Sequence, residues 1–386
     1  MSCYGSKSYS TPELDELAKT GIIFEHCYST PLCTPTRVQL MTGKYNFRNY
    51  TEFGSLPKGE FTFGHLFQQA GYKTCVAGKW QLAGRIKGAN YRGRGTLPEE
   101  AGFDEHCLWQ VLDRGSRFWN PIIQQNGELK TNLKGKYGPD IFCEYINDFV
   151  SRNKSKPFFV YFPMALTHNP FVPTPDSKDK SRGVKKRDPK YFKDMVEYTD
   201  KIVGKIVQNL EKQELRENTL LIFVGDNGTN KQIVSQTVTQ TVRGDKGETT
   251  DAGTHVPLIM NWKGKISSDK SCSDLIDFTD FFPTLAGAAQ IALPENEIFD
   301  GRSFLPQING EKGNPREWVF CHYDPKWGNR TLKRYVHDKK WKLYHDGRII
   351  NLVNDPLEKH PVSFDNLDEN TKNKMKRFQD VLDKMK

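Results

Sequence analysis

The 386-residue chain contains no apolar run of about 18 residues, so nothing in it reads as a membrane-spanning helix. Cysteine is scarce. The eight residues Cys3, Cys27, Cys33, Cys75, Cys107, Cys143, Cys272 and Cys321 include no CxxC pair. Structural zinc is therefore not expected, and the cysteines are too sparse for a disulfide-built scaffold. Their pairing stays open. The first ten residues, MSCYGSKSYS, lack the basic and then apolar pattern of a signal peptide and read like the interior of a domain. No internal repeat, low-complexity tract or nucleic-acid-binding motif is present. The net charge of +9 is thus no argument for nucleic acid. The basic residues are spread along the chain, which suits a solvated surface or a positive field that draws in an anionic substrate.

What is present is a folding composition, with 27% charged and 36% hydrophobic residues. The length allows one large α/β domain with a small appendage, or two ordinary domains. Apparent helices and strands alternate. Residues 11–21 read as a helix, with Thr11 before Pro12, apolar spacing at Leu14, Leu17 and Ala18, and Gly21 as the stop. The segment IIFEHCY reads as a strand, TFGHLFQQAG as a helix and YKTCVAG as another strand. KPFFVYFPMAL and NTLLIFVGDNG read as buried strands around an amphipathic helix over 194–210, and HVPLIMNW follows as a further strand. This alternation predicts an α/β fold: a mostly parallel central sheet flanked by helices over residues 1–290. After about residue 290 the character changes. Residues 334–352 look like antiparallel strands with a DG turn, and the end of the chain like a basic amphipathic helix. Residues 291–386 are expected to form a smaller α+β subdomain with an antiparallel sheet.

In sheets of this kind the chemistry gathers at strand ends. Five polar clusters are candidates. In Leu32-Cys33-Thr34-Pro35-Thr36-Arg37, Pro35 suits the first turn of a helix that Gly43 stops. Cys33 then stands just before a helix N-terminus, where backbone N–H groups favour an anion, and Arg37 adds a charge one turn on. Gly78-Lys79-Trp80 follows a strand, and so does Thr167-His168-Asn169-Pro170. Gly225-Asp226-Asn227-Gly228 has turn chemistry, and it also offers two oxygen ligands for Ca²⁺ or Mg²⁺. Arg243-Gly244-Asp245-Lys246-Gly247 leads into Asp251-Ala252-Gly253-Thr254-His255-Val256-Pro257. Singly, each has a plain structural reading: a buried cysteine, an exposed lysine, a structural histidine or a turn.

Taken in order, CTPTR, GKW, the TH-x-P loop, DNG, and a lysine before G-x-x-VP resemble the arylsulfatase-like members of the sulfatase family, in the alkaline-phosphatase superfamily. The likeness covers nearly the whole chain, including DFTDFFPTLAGAA. It implies that a separate formylglycine-generating enzyme converts Cys33 to formylglycine. One hydroxyl of the hydrated aldehyde would attack sulfur in line, and the other would then expel sulfate. It also implies that Lys79 and Lys246 neutralise the sulfate oxygens, that Arg37 holds the nucleophile and that His168 protonates the leaving oxygen. Asp226, Asn227 and the group made from Cys33 would ligate a divalent cation, usually Ca²⁺.

Two departures from the family pattern stand out. The residue after GKW is Gln81, where the family usually has His. Gln cannot shuttle a proton, so Gln81 is expected to orient the nucleophile or substrate. The family also opens with an apolar strand ending in two adjacent Asp ligands, shortly before a turn that SCYG resembles. No such pair precedes SCYG, and Asp226 and Asn227 alone would hold a hard cation weakly. A longer protein with an upstream start is expected, and export would then depend on a signal peptide there. For substrate, Arg85, Arg92, Arg94, Arg114 and Arg117 lie near Trp109 and Trp119, which suits a sulfated saccharide as well as a solvated loop. The alternatives are a formylglycine-dependent phosphodiesterase or phosphonate hydrolase, and a truncated anion-binding member without catalysis.

Overall fold

The computed structural model describes residues 1–84, 93–179 and 187–386. Its strands in chain order are β1 (Ile22–Tyr28), β2 (Lys73–Lys79), β3 (Glu105–Trp109), β4 (Ile123–Gln125), β5 (Glu128–Lys130), β6 (Phe158–Tyr161), β7 (Leu221–Val224), β8 (Val234–Gln236), β9 (Thr241–Arg243), β10 (His255–Asn261), β11 (Lys270–Asp277), β12 (Val319–Tyr323), β13 (Lys333–His337), β14 (Trp341–Tyr344) and β15 (Ile349–Asn351). The α-helices are α1 (Pro12–Lys19), α2 (Cys33–Thr42), α3 (Asn46–Asn49), α4 (Phe63–Gln69), α5 (Gly138–Arg152), α6 (Tyr191–Lys212), α7 (Asp251–Thr254), α8 (Phe281–Ala288), α9 (Leu305–Ile308) and α10 (Glu369–Lys384).

The α/β core is built on two mixed sheets, ordered β5-β4-β3-β2-β6 and β11-β1-β10-β7. The pairs β2–β3, β2–β6 and β1–β11 are parallel, as expected. Strand β10 instead runs antiparallel to both β1 and β7. A parallel β1–β10 pair would need a different direction of entry. Here α7 delivers the chain straight into β10 from the end of the sheet that carries the polar clusters. Strands β6 and β7 are the edges of their sheets, and both line one cavity of about 1300 Å³. Their residues are therefore half-buried rather than buried.

Alternation along the strands sorts side chains between two cores. On β2, Val76 joins the core that holds Phe63, Phe67, Phe103 and Phe282, while Cys75 and Ala77 join Phe142, Phe149, Met195 and Ile202 beneath α5 and α6. Burying one such aromatic or aliphatic side chain contributes about 1.5–3 kcal/mol. Helix α4 begins at Thr62, whose hydroxyl accepts from the N–H groups of Gly64 and His65. Helix α1 presses Leu14, Leu17 and Ala18 against Val203 of α6 and Ile259 of β10.

The antiparallel sheet β12-β13-β14-β15 follows, with Met375, Phe378 and Leu382 of α10 packed on Phe320, Val336 and Leu343. This sheet braces the segment after Lys246. The Tyr323 hydroxyl donates to the Gly247 carbonyl at 3.0 Å, and the Tyr344 and Thr249 hydroxyls lie 2.8 Å apart.

Candidate functional site

Cys33 is the first residue of α2 rather than the residue before it, and it is buried. The loop ahead of it is stapled by hydroxyls, with Thr30 Oγ1 and Thr36 Oγ1 2.7 Å apart and Thr36 Oγ1 donating to the Leu32 carbonyl at 2.9 Å. The unpaired N–H groups of the helix's first turn make this a favourable place for negative charge.

Lys79 reaches it from the end of β2. Its Nζ donates to Cys33 Sγ at 3.0 Å. The preceding Gly78 makes this approach possible. Its φ is 121°, and a Cβ there would stand 2.3 Å from the Pro163 carbonyl oxygen. With that close approach allowed, the Lys79 N–H donates to the same carbonyl at 2.7 Å. Arg37, buried one turn into α2, donates through Nη1 to the Trp80 carbonyl. Its Nε and Nη2 are buried without a partner.

The other predicted residues arrive from the strand ends. Arg37, Lys79, His168, Asp226, Asn227 and Lys246 all line the cavity that also borders β6 and β7. Asp226 and Asn227 follow β7 directly. Their turn is closed by the Gly228 N–H donating to the Gly253 carbonyl at 2.9 Å, an approach that leaves no room for a Cβ at Gly228. Asn227 Nδ2 donates to the Gly228 carbonyl at 3.0 Å, and its Oδ1 is buried with no partner. The Lys246 N–H donates to the Thr229 carbonyl at 3.0 Å, which ties the lysine to the same turn. His168 Nδ1 lies 2.7 Å from the Asn169 carbonyl oxygen, so Nδ1 carries the proton and Nε2 is left to accept one.

The field of the site follows from this crowding of cations. Burial alone would raise the Cys33 thiol, but Lys79, Lys246 and Arg37 bring it down to about 7. Burial lowers Lys79 to about 8, with Arg37 and Arg117 acting in the same direction against Cys33. Burial, followed by Lys246, Lys79 and Arg117, pushes His168 well below the usual imidazole range. His168 is therefore neutral at pH 7. A pocket with three cations around one sulfur and a neutral histidine beside them is suited to an oxyanion.

Gln81 is different. Its backbone takes φ 48° and its N–H donates to the Gln110 carbonyl at 2.8 Å, while no side-chain hydrogen bond links it to Cys33, Lys79 or His168. Of the five rim arginines, Arg85 and Arg92 lie outside the described residues. Arg94 and Arg114 are exposed, and Arg117 is half-buried with its Nη1 out of reach of solvent. For a divalent cation, Asp226 and the orphaned Asn227 Oδ1 are the oxygen donors at hand. The described residues contain no group of three or more His, Cys, Asp or Glu able to hold a metal. Two protein oxygens fall short of the six to eight that Ca²⁺ takes, so these residues do not by themselves make a cation site.

A family model described as Sulfatase matches residues 1–291. The chain belongs to the sulfatase family. It is an enzyme of that family and hydrolyses sulfate esters. A second family model, described as N-sulphoglucosamine sulphohydrolase, C-terminal, matches residues 244–385. The sulfatase is 29% identical to the dog N-acetylgalactosamine-6-sulfatase over 430 aligned positions, covering 94% of this chain and 79% of that one. It is 28% identical to the N-acetylgalactosamine-6-O-sulfatase of Bacteroides thetaiotaomicron, covering 83% of this chain and 75% of that one. The solved structure of Ps i-CgsB in complex with k-i-k-neocarrahexaose superposes with a TM-score of 0.78 at 25% identity, covering 98% of this chain and 88% of that one.

One charge near the sulfatase's site has only a weak sequence signal. Arg117 is one of several arginines in a stretch that also reads as a solvated loop, and only the folded chain shows its charge acting on Lys79 and His168. The aromatic run 158–162 gave no hint that Tyr161 would lie within reach of the charges of Arg37, Asp226 and Cys33.

Proposed function

We propose that this sulfatase releases inorganic sulfate from a sulfated carbohydrate, using a formylglycine made from Cys33 by a separate generating enzyme. The observation that carries this reading is the convergence of Lys79, Lys246 and Arg37 on Cys33 at the start of α2. Formylglycine, hydrated, supplies an oxygen nucleophile and a second hydroxyl for release of the sulfate. The chain's own residues do the rest. Lys79 and Lys246 hold the non-bridging oxygens and offset their charge. Arg37, whose Nε and Nη2 are buried without a partner, adds its charge in support of the group at residue 33. His168 holds its Nδ1 proton on Asn169, takes a proton at Nε2 once the anionic ester offsets the surrounding cations, and passes it to the leaving oxygen. Gln81 orients the substrate from the rim.

A divalent cation, Ca²⁺ in the family pattern, would draw on Asp226, Asn227 and the group made from Cys33 in this reading, and would need further oxygen donors. The carbohydrate preference rests on the relatives named above, two of them named for N-acetylgalactosamine 6-sulfate chemistry and one solved with a neocarrahexaose.

Sulfate release would be measured from N-acetylgalactosamine 6-sulfate, from a simple aryl sulfate and from the matched phosphate esters. The saccharide sulfate is expected to turn over fastest. Equal or faster turnover of the aryl sulfate counts against the carbohydrate reading, and preferential hydrolysis of the phosphate esters points to a phosphodiesterase-type activity.

A further inference from the structure

Lys79 and Trp109 are register partners in the parallel pair β2–β3. Their side chains stand on the same face of the sheet, because Cys75, Ala77, Cys107 and Trp109 all belong to the core beneath α5 and α6. Lys79 points from this face to Cys33. The chain leaves β3 at Trp109, turns, and returns so that the guanidinium of Arg117 stands over the Trp109 ring, with Cζ 3.9 Å from the ring centroid. The turn is pinned by Trp109 Nε1 donating to the Gly115 carbonyl at 2.8 Å. Arg117 is thus held over the register neighbour of Lys79.

Its surroundings leave it without an acceptor. Arg117 Nη1 is out of reach of solvent and has no hydrogen-bond partner, and Arg117 enters no ion pair among the described residues. Burial brings the guanidinium down to about 10. A buried cationic N–H is costly when unpaired and favourable when it meets an anion. Contact with the indole holds the guanidinium in place, and its fork of N–H donors suits a carboxylate or sulfate. The scissile sulfate already has Lys79, Lys246 and Arg37, which dominate the field at Cys33. Arg117, whose own charge Cys33 favours, is not among the groups that shift the Cys33 thiol most strongly, and it acts on Lys79 and His168 beside the nucleophile.

We propose that Arg117, held over Trp109 next to Lys79, binds a second oxyanion of the substrate, so that the enzyme prefers a saccharide with another sulfate or carboxylate near the scissile ester. This inference rests on the sulfatase reading of the Cys33 site and adds a specificity-determining residue to it. No contact with the reacting sulfur is assigned to Arg117.

The test is equilibrium binding to the unmodified chain, which carries Cys33 as a thiol and does not turn over. Isothermal titration would use inorganic sulfate, N-acetylgalactosamine 6-sulfate and N-acetylgalactosamine 4,6-disulfate, with a 6-sulfated disaccharide bearing a uronate as the carboxylate probe. The wild type is expected to bind at least one doubly anionic probe about tenfold tighter than the monosulfated sugar. Whichever probe shows the gain identifies the second anion. Arg117→Ala should erase that preference and leave the monosulfated sugar within about twofold. Arg117→Lys, which keeps the charge and loses the fork, should retain part of it and guards against a folding defect in the alanine variant.

An unchanged preference in both variants overturns the inference. Equal weakening of every probe, inorganic sulfate included, also overturns it, because Arg117 would then be acting on the ester sulfate itself. Lys79→Ala separates this failure from that of the site as a whole. If the wild type binds no sulfate, or Lys79→Ala leaves all binding intact, the anion site at Cys33 is wrong and the proposed second subsite falls with it.

Discussion

Lys79 Nζ donates to Cys33 Sγ across 3.0 Å, joining the last residue of β2 to the first residue of α2. The contact sets the ionisation of both groups. Cys33 sits at about 7 because Lys79, Lys246 and Arg37 outweigh its burial. In the unmodified chain, alkylation of Cys33 by a small iodoacetamide-type reagent should rise through pH 7 as the thiolate forms. Lys79→Ala should move that midpoint up toward the ordinary thiol value of 9.0. A wild-type midpoint already near 9 would show that the cations do not act on this sulfur.

Gly78 decides where Lys79 can stand. At φ 121°, with the Pro163 carbonyl 2.3 Å from any Cβ, Gly78→Ala must shift the end of β2 or the segment after β6. The strain is expected to cost about 1–3 kcal/mol of stability. Displacement of Lys79 should lower kcat/KM by about a hundredfold, as misplacement on the ångström scale can. Urea unfolding and sulfate-release kinetics check the two parts. A variant with wild-type values in both would mean that the close approach is not needed.

Much of this is legible in the sequence. The apolar alternation and turn residues marked β1, β2, β7, β10 and the hairpins around β14, because local pattern and packing agree there. The clusters at Cys33, Lys79, His168, Asp226 and Lys246 were visible as motifs, since each needs particular residue types at a strand end. The direction of β10 was not legible, because direction depends on how α7 delivers the chain and an apolar run has no polarity. The half-exposure of β6 was hidden for a related reason. An aromatic-rich strand reads as buried whether or not a neighbour lies on both sides. The contact between Arg117 and Trp109 depends on a turn whose path is set by the Trp109 Nε1 to Gly115 hydrogen bond, and no spacing rule encodes that.

Lys79 should make sulfate binding sensitive to alkali. Burial brings its ammonium down to about 8, so the charged form that attracts an anion is present below that pH and lost above it. With Cys33→Ser removing the competing thiolate, and with it a charge that favours the ammonium, affinity for inorganic sulfate should fall as pH rises through 8 or slightly below. Titration calorimetry across pH 6–10 gives the result. Constant affinity to pH 10 would place Lys79 in a more solvated setting than the structure gives it.

Arg316 and Asp280 form a buried ion pair outside the site. Its Nε and Nη2 lie 2.6 and 2.5 Å from the two carboxylate oxygens of Asp280, with both side chains nearly inaccessible. Removing one partner leaves the other charged and buried. Arg316→Ala should therefore cost about 3–5 kcal/mol, read from the urea midpoint at constant m-value. A loss under about 1 kcal/mol would mean that water reaches Asp280.

Lys79→Ala is expected to lower kcat/KM by about 10²–10³-fold, the scale seen when one preorganised donor to a developing oxyanion is removed. Kinetics on the formylglycine-bearing enzyme test this. A loss below tenfold would move the sulfate away from Lys79.

Cys33 as precursor of the nucleophile is tested by the mass spectrum of the peptide spanning Cys33 after co-expression with a formylglycine-generating enzyme, alongside a control sulfatase in the same cells. The expected result is the mass loss that accompanies conversion of the cysteine side chain to an aldehyde at Cys33. An unmodified Cys33 beside a fully modified control would contradict it.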